Sequence, residues 1–245
     1  MALSLVSVNI EQEKHLERVF PFLSIQKPDI LCVQELLERD IPRFEEQYGP
    51  CIAFAPTCFV PRPEGSQTEG IGLFSSLSNQ SVIEKYYVGS RDTVRLDDGK
   101  SDVDTHVLLG ADIEGYRILT THFTWTQKGE STEKQKVHAE SLFAELDALG
   151  EFVLCGDFNA PRTGETAALF IRRYTDNIPS HYETSIDISL HRAGKTNASG
   201  LQDKMVDYLF TTPQYLAKNV SLEFGVSDHA AIIATIEKSQ QNKGI

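Results

Sequence analysis

Long apolar runs are missing from the 245 residues; none approaches the roughly 20 positions that a membrane-spanning helix needs. The start, Met1 to Ile10, lacks a basic cluster and a small-residue cleavage site, so it reads as a first strand rather than a signal peptide. Cysteine is scarce: the four residues at 32, 51, 58 and 155 have no metal-ligand spacing. That argues against a zinc module and against a disulfide scaffold. Cys32 and Cys155 sit in apolar runs and are expected to be buried thiols, which fits a reducing cytoplasm. Positive charge is short as well, with 23 Lys and Arg against 35 Asp and Glu, a net charge of -12. A broad basic surface gripping many phosphates is therefore not expected. A nucleic-acid partner stays open, because a divalent cation and a few local Arg or Lys residues can offset an acidic body. Repeats, low-complexity tracts and linkers are absent too. One domain over residues 1–238 is expected, with a polar tail at 239–245 and a monomeric state.

What is present is an alternation of strand and helix signals. Val6, Val8 and Ile10 alternate with polar residues as a half-buried strand does. Leu16, Val19, Phe20 and Leu23 share a helical face. Ile30-Leu31-Cys32-Val33 is a continuous apolar run suited to a strand covered on both faces, and it ends at Gln34-Glu35. A helix is expected over 37–48, and a loop over the Pro-, Gly- and Ser-rich 56–70. Strands follow at 71–74 and 82–88, a charged turn at 89–101, and a strand pair at 103–113 and 117–123. Residues 132–149 are the clearest amphipathic helix, with a capping start at Ser131. Then come a strand at 152–155, a helix near 165–173 and an irregular stretch from Asp176 to Asp203. Strands at 205–211, 219–225 and 230–236 close the chain.

Polar residues end or follow these strands at five places: Asn9, Glu35, His122, Asp157 with Asn159, and Asp228 with His229. In α/β folds, strand ends are where sites are built. Asp207 lies inside an apolar strand, where an unpaired carboxylate is costly, so it needs a partner such as a histidine. Carboxylates that can hold a hard cation, together with a histidine and a water-orienting Asp, are what metal-assisted phosphate-ester hydrolysis requires.

The ordered set Val8-Asn9, Gln34-Glu35, Glu69-Gly70-Ile71-Gly72, Thr121-His122-Phe123, Gly156-Asp157-Phe158-Asn159, Val206-Asp207-Tyr208 and Ser227-Asp228-His229 resembles the endonuclease/exonuclease/phosphatase superfamily. The resemblance implies an α/β (α+β) fold, a four-layer sandwich of two packed, mostly antiparallel or mixed sheets flanked by helices. It implies Glu35 as the main ligand of Mg²⁺ (Mn²⁺ being the alternative), with Asn9 and Asp228 near the ion. Asp157 would orient or deprotonate the attacking water and Asn159 would hold a phosphate oxygen. His229 would contact the phosphate, with Asp207 fixing its tautomer. His122 makes the chain look more like the deoxyribonuclease, sphingomyelinase, deadenylase and inositol-phosphatase branches than the abasic-site endonucleases. Glu69 falls where the deoxyribonuclease branch keeps a partner for that histidine.

Blander readings exist for each residue. Asn9 can simply end a strand, Glu35 can favour a helix start, Asp157 can cap a helix, and His122 can be a core histidine. Arg162 can enter the substrate phosphate field or cap a helix, with equal weight. Trp125 can stack a ring or pack under its loop. His15, His106, His138, His181 and His191 are read as structural. Two substrate classes stay open: nucleic acid or a nucleotide, and a small phosphorylated molecule or lipid head group. A lipid enzyme would show an apolar rim, for which Phe54, Phe59 and Val60 are the candidates.

Overall fold

In the computed structural model, which describes residues 1–97 and 105–239, two sheets pack face to face. Eighteen elements follow the chain: β1 (Ala2–Asn9), α1 (Leu16–Gln26), β2 (Ile30–Leu37), α2 (Ile41–Tyr48), β3 (Cys51–Val60), β4 (Gln67–Phe74), β5 (Asn79–Val88), β6 (Arg95–Leu96), β7 (His106–Ile113), β8 (Tyr116–His122), α3 (Glu133–Leu149), β9 (Val153–Asp157), α4 (Glu165–Arg173), β10 (Thr175–Asp176), α5 (Gly194–Asn197), β11 (Asp207–Thr211), β12 (Tyr215–Glu223) and β13 (Ala231–Lys238). One sheet has seven strands, ordered β12-β13-β1-β2-β4-β3-β6; the other has six, ordered β10-β11-β9-β8-β7-β5. The β1–β2, β3–β6 and β8–β9 pairs are parallel and the rest antiparallel.

The period of two along each strand assigns its residues to layers. In β1, Leu3 and Leu5 join the core between the sheets, whereas Val6 and Val8 face the helix side with Leu16, Val19 and Leu23 of α1 and Phe44 of α2. In β9, Val153 and Cys155 point between the sheets, and Leu154 packs with Leu142, Phe143 and Leu146 of α3 and Phe170 of α4. The result is helix, sheet, sheet, helix: the expected four-layer sandwich. Cys32 and Cys155 are buried free thiols, as expected.

Two local expectations need correction. Most of 56–70 is not loop: β3 runs to Val60 and β4 starts at Gln67, leaving 61–66 as the turn. Pro56 is tolerated in β3 because the register shifts there, between Pro56 and Cys58. The cap of α3 is Thr132, whose hydroxyl accepts the Gln135 amide at 3.2 Å; Ser131 instead accepts the Thr166 amide at the start of α4, at 3.0 Å. The strand expected from Val103 is described from His106 onward, residues 98–104 lying outside the described residues. The irregular 176–203 stretch starts at the end of β10 and contains α5 and a 3-10 turn at Ala198–Leu201.

Candidate active site

The site is built where the inter-sheet faces run out of apolar residues. Continuing the β1 alternation past Leu5 brings Ser7 and then Asn9 to that face. In the second sheet, Ile118, Thr120 and His122 of β8 follow the same rule, as do Val153, Cys155 and Asp157 of β9. His122 pairs with Asp157 in the parallel β8–β9 register, and Asp207 pairs with Asp157 in the antiparallel β9–β11 register. Three adjacent strands thus present His122, Asp157 and Asp207 side by side. Gly156 is obligatory here: its φ is +136°, and a Cβ would lie 2.0 Å from the Thr121 carbonyl oxygen.

Asp157 is the hub. Its Oδ1 accepts the Asn159 amide at 2.8 Å and its Oδ2 accepts the Asn9 side-chain amide at 3.2 Å. The ring nitrogens Nε2 of His122 and His229 lie 3.6 and 3.8 Å from that same Oδ2. His229 Nδ1 bonds Asp207 at 2.8 Å, and the Ser185 hydroxyl donates to the same Asp207 oxygen at 2.6 Å. Burial opposes the His229 imidazolium, but Asp207, Asp157 and Asp228 together outweigh it and hold this histidine well above its ordinary range. Asn9 also donates to Glu35 Oε1 at 2.9 Å, while its own oxygen accepts the Glu11 amide at 3.1 Å. Asn9 therefore shows N–H to the carboxylates and keeps only one lone pair for an ion.

Glu35 owes its aim to backbone irregularity. The β2–β4 register shifts between Val33 and Leu36, and Glu35 has φ +54°. A bulge of this kind turns a side chain out of the ladder. His122 Nε2 stands 3.9 Å from Glu35 Oε1. Burial is the main force raising the Glu35 carboxyl above its ordinary range, His122 and Asn9 oppose it, and Asp228 adds to it.

A family model for the Endonuclease/Exonuclease/phosphatase family matches residues 6–229. The chain belongs to this family. Among solved structures, a Bacteroides vulgatus endonuclease/exonuclease/phosphatase superposes with a TM-score of 0.70 at 15% identity, covering 98% of this chain and 100% of that one. A Bacteroides thetaiotaomicron mannosyl-6-phosphatase gives 0.64 at 14%, covering 97% and 99%. D. rerio TDP2 complexed with a single-strand DNA product gives 0.62 at 15%, covering 96% and 99%. At these identities the likeness is one of fold. No curated protein sequence matches the chain.

Three of the residues expected at the site of this family member are placed differently from the rest. Asn159 has φ +50° and gives a side-chain N–H to the Phe123 carbonyl at 2.9 Å, tying its loop to β8. Glu69 accepts Gln12 at 2.6 Å and the Cys58 thiol at 3.4 Å. It feels His122 only through charge, and burial with Glu35 nearby pushes its carboxyl up to about 7. Arg162 is spent on structure. It pairs with Asp176 at 3.0 Å and donates to the carbonyls of Ile178, Pro179 and Tyr182 at 3.0, 3.5 and 3.2 Å. These bonds staple the segment after β10. Replacing Arg162 with alanine should lower unfolding stability by about 2–3 kcal/mol, since charged hydrogen bonds to buried carbonyls are lost, and leave KM within about twofold. Denaturant melts with steady-state kinetics check this; a raised KM at unchanged stability would return Arg162 to the substrate.

Other residues at the site carry no sequence signal of their own. Ser185, fully buried in the irregular stretch, receives the Val206 and Asp207 amides on its hydroxyl, both at 3.1 Å, and orients Asp207. Its carbonyl accepts Ala230 at 2.7 Å, and Ile186 bridges to His229. Glu11, His15 and Asp228 bring ligand-type atoms within 4.8 Å of one another, as do Asp157, Asp207 and His229. In the second group the Asp207–His229 bond already uses one atom of each residue. His15 lies beside Asp228, with Nε2 bonded to Glu11 at 3.1 Å. His138 is half-buried and bonds the Thr124 hydroxyl at 2.7 Å. His106 is buried, with Nδ1 on the His122 carbonyl at 3.0 Å. Trp125 is 41% exposed.

Proposed function

We propose that this protein is a Mg²⁺-dependent phosphodiesterase that hydrolyses a phosphate ester by in-line attack of water, acting on nucleic acid or a nucleotide. The observation that carries this is Asp157, held by Asn9 and the Asn159 amide between two histidines, one of them backed by Asp207. Asp157 orients the water and takes its proton. His229, as imidazolium, donates from Nε2 to a phosphate oxygen while Asp207 fixes Nδ1–H. His122 offers a second ring N–H to the phosphate on the opposite side of Asp157. Glu35 and Asp228 are hard oxygen donors of the kind Mg²⁺ takes, one or two carboxylates sufficing beside its waters, and Mn²⁺ suits the same set. The cation, when bound, supplies Lewis-acid polarisation of the phosphoryl oxygen and offsets charge. Asn159 would reach the phosphate with the polar groups that the Phe123 carbonyl leaves free. We place the protein in the cytoplasm on the ground of its free cysteines; a monomer is expected.

Exposed Trp125 next to the His122 loop supports a base-bearing substrate. The net charge of -12 favours the second reading, a small phosphorylated molecule or a lipid head group. Of the proposed apolar rim only Phe59 is exposed, Val60 being buried, which disfavours the lipid arm. The deciding experiment compares single- and double-stranded oligonucleotides, a phosphodiester reporter and a phosphomonoester reporter under Mg²⁺ or Mn²⁺. Glu35→Ala serves as the blank. Metal-dependent oligonucleotide cleavage absent from the variant supports the nuclease reading. Turnover of small esters alone transfers the assignment to the second, and no turnover of any substrate defeats both.

A further inference from the structure

Gln135, on the first turn of α3, is completely buried, yet no part of the chemistry above uses it. Its Nε2 donates to the Thr124 carbonyl at 2.8 Å and to the Asn159 carbonyl at 3.2 Å. Thr124 lies two residues beyond His122, and Asn159 two beyond Asp157. Its Oε1 accepts the hydroxyl of Thr166, on the first turn of α4, at 2.9 Å. Thr124 and Thr166 are as fully buried as Gln135. Carbonyls only accept, so the amide nitrogen must face both loops; the Thr166 hydroxyl then meets the oxygen. One side chain thus ties together the two loops that carry His122 and Asp157, and both helices of that layer.

We propose that Gln135 is a positioning residue that fixes the distance between His122 and Asp157, and that Thr166 sets the orientation of its amide. The inference rests on the reading of those two residues as catalytic. Two further bonds join the same loops: the Phe123 amide to the Asp157 carbonyl at 2.8 Å, and the Asn159 side chain to the Phe123 carbonyl at 2.9 Å. The loops would therefore stay folded without Gln135 but lose their register, because the carbonyls of buried Thr124 and half-buried Asn159 would be left seeking partners. A misplacement of about 1 Å can lower turnover by roughly 10²-fold.

The test pairs amide hydrogen exchange with kinetics on Thr166→Val, Thr166→Ser and Gln135→Met. The probe ester is bis(p-nitrophenyl) phosphate with Mg²⁺. The Phe123 and Asn159 amides report the loops. The Phe152 amide, bonded to Thr212 at 2.8 Å near the other end of β9, reports global opening. In Thr166→Val and Gln135→Met we expect exchange at Phe123 and Asn159 to rise about tenfold or more, with Phe152 changed by less than about twofold. Turnover should fall by roughly 10²-fold with KM nearly unchanged. Thr166→Ser should restore both readouts. Equal acceleration at all three amides, or a Thr166→Val protein that matches wild type, overturns the proposal. If wild type turns over neither this ester nor the oligonucleotides and phosphomonoester above, the exchange arm still decides the coupling, and only the catalytic reading falls.

Discussion

Changing His229 to alanine is expected to lower kcat by about 10²–10⁴-fold, the range typical of a positioned acid–base group. KM should move far less, because the interaction lost is one that strengthens as charge builds on the phosphate. The expectation comes from how the ring is held. Nδ1 is committed to Asp207, which is itself fixed by Ser185, so Nε2 is the end left to serve the substrate. Asp207→Asn should therefore act in the same direction but less strongly, and the double variant should cost little more than His229→Ala alone. Groups that work as a unit are not additive. Steady-state kinetics on the three variants decides the matter. A His229→Ala enzyme within a few-fold of wild type would show that the histidine is misassigned.

The same substitution should leave a signature in stability. The folded pKa of His229 lies above its ordinary 6.5. A group raised in this way contributes fully below the unfolded value, and its contribution fades as pH climbs through the folded value. The stability gap between wild type and His229→Ala should accordingly be largest near pH 6 and close at alkaline pH. Urea titrations across that range measure it; a gap that widens with pH would contradict an ion-paired His229.

The strand parity that builds the site was legible in the sequence. Val6 and Val8 announce that the odd-numbered residues of β1 face the other way, which carries Asn9 to the mouth between the sheets. Asp207, a carboxylate in an apolar strand, signals its need for a partner such as a histidine through cost, and the resemblance names His229. What could not be read is whatever depends on backbone irregularity or on contacts remote in sequence. The β2 bulge that aims Glu35 has no residue signature, Glu35 itself being an unusual choice for φ +54°. Residues 56–70 look like loop by composition, but neighbouring strands of the sheet extend β3 and β4 into them. Arg162 announces its charge and not its partner, because Asp176 and the three carbonyls come from a segment without periodicity. Ser185 and Gln135 are ordinary polar residues until the fold surrounds them with amides and carbonyls. Polar groups acquire meaning from their partners, and partners are a property of the tertiary structure.

Removing divalent cations with a chelator is expected to reduce turnover to background, and Mg²⁺ or Mn²⁺ to restore it. The charge at the mouth makes the demand. Asp157, Asp207 and Asp228 are buried there and Glu35 stands beside Asn9, with the rings of His122 and His229 within 4 Å of the Asp157 oxygen. A phosphate brings further negative charge into the same space, and like charges at such separations repel strongly away from bulk water. Glu35→Ala should raise the Mg²⁺ concentration for half-maximal rate by at least about tenfold, the low end of what losing a carboxylate partner of an ion typically does. Titration calorimetry with Mn²⁺ supplies a readout independent of substrate, and Asp228→Ala is the companion variant. Weakened binding in Glu35→Ala, with a smaller effect in Asp228→Ala, fits Glu35 as the main ligand. Unchanged binding in Glu35→Ala, with loss in Asp228→Ala, would move the ion towards Glu11 and His15, whose ligand-type atoms cluster with Asp228. In that case Glu35 would be a partner of His122, and the strained bulge that aims it would serve the imidazole rather than the cation.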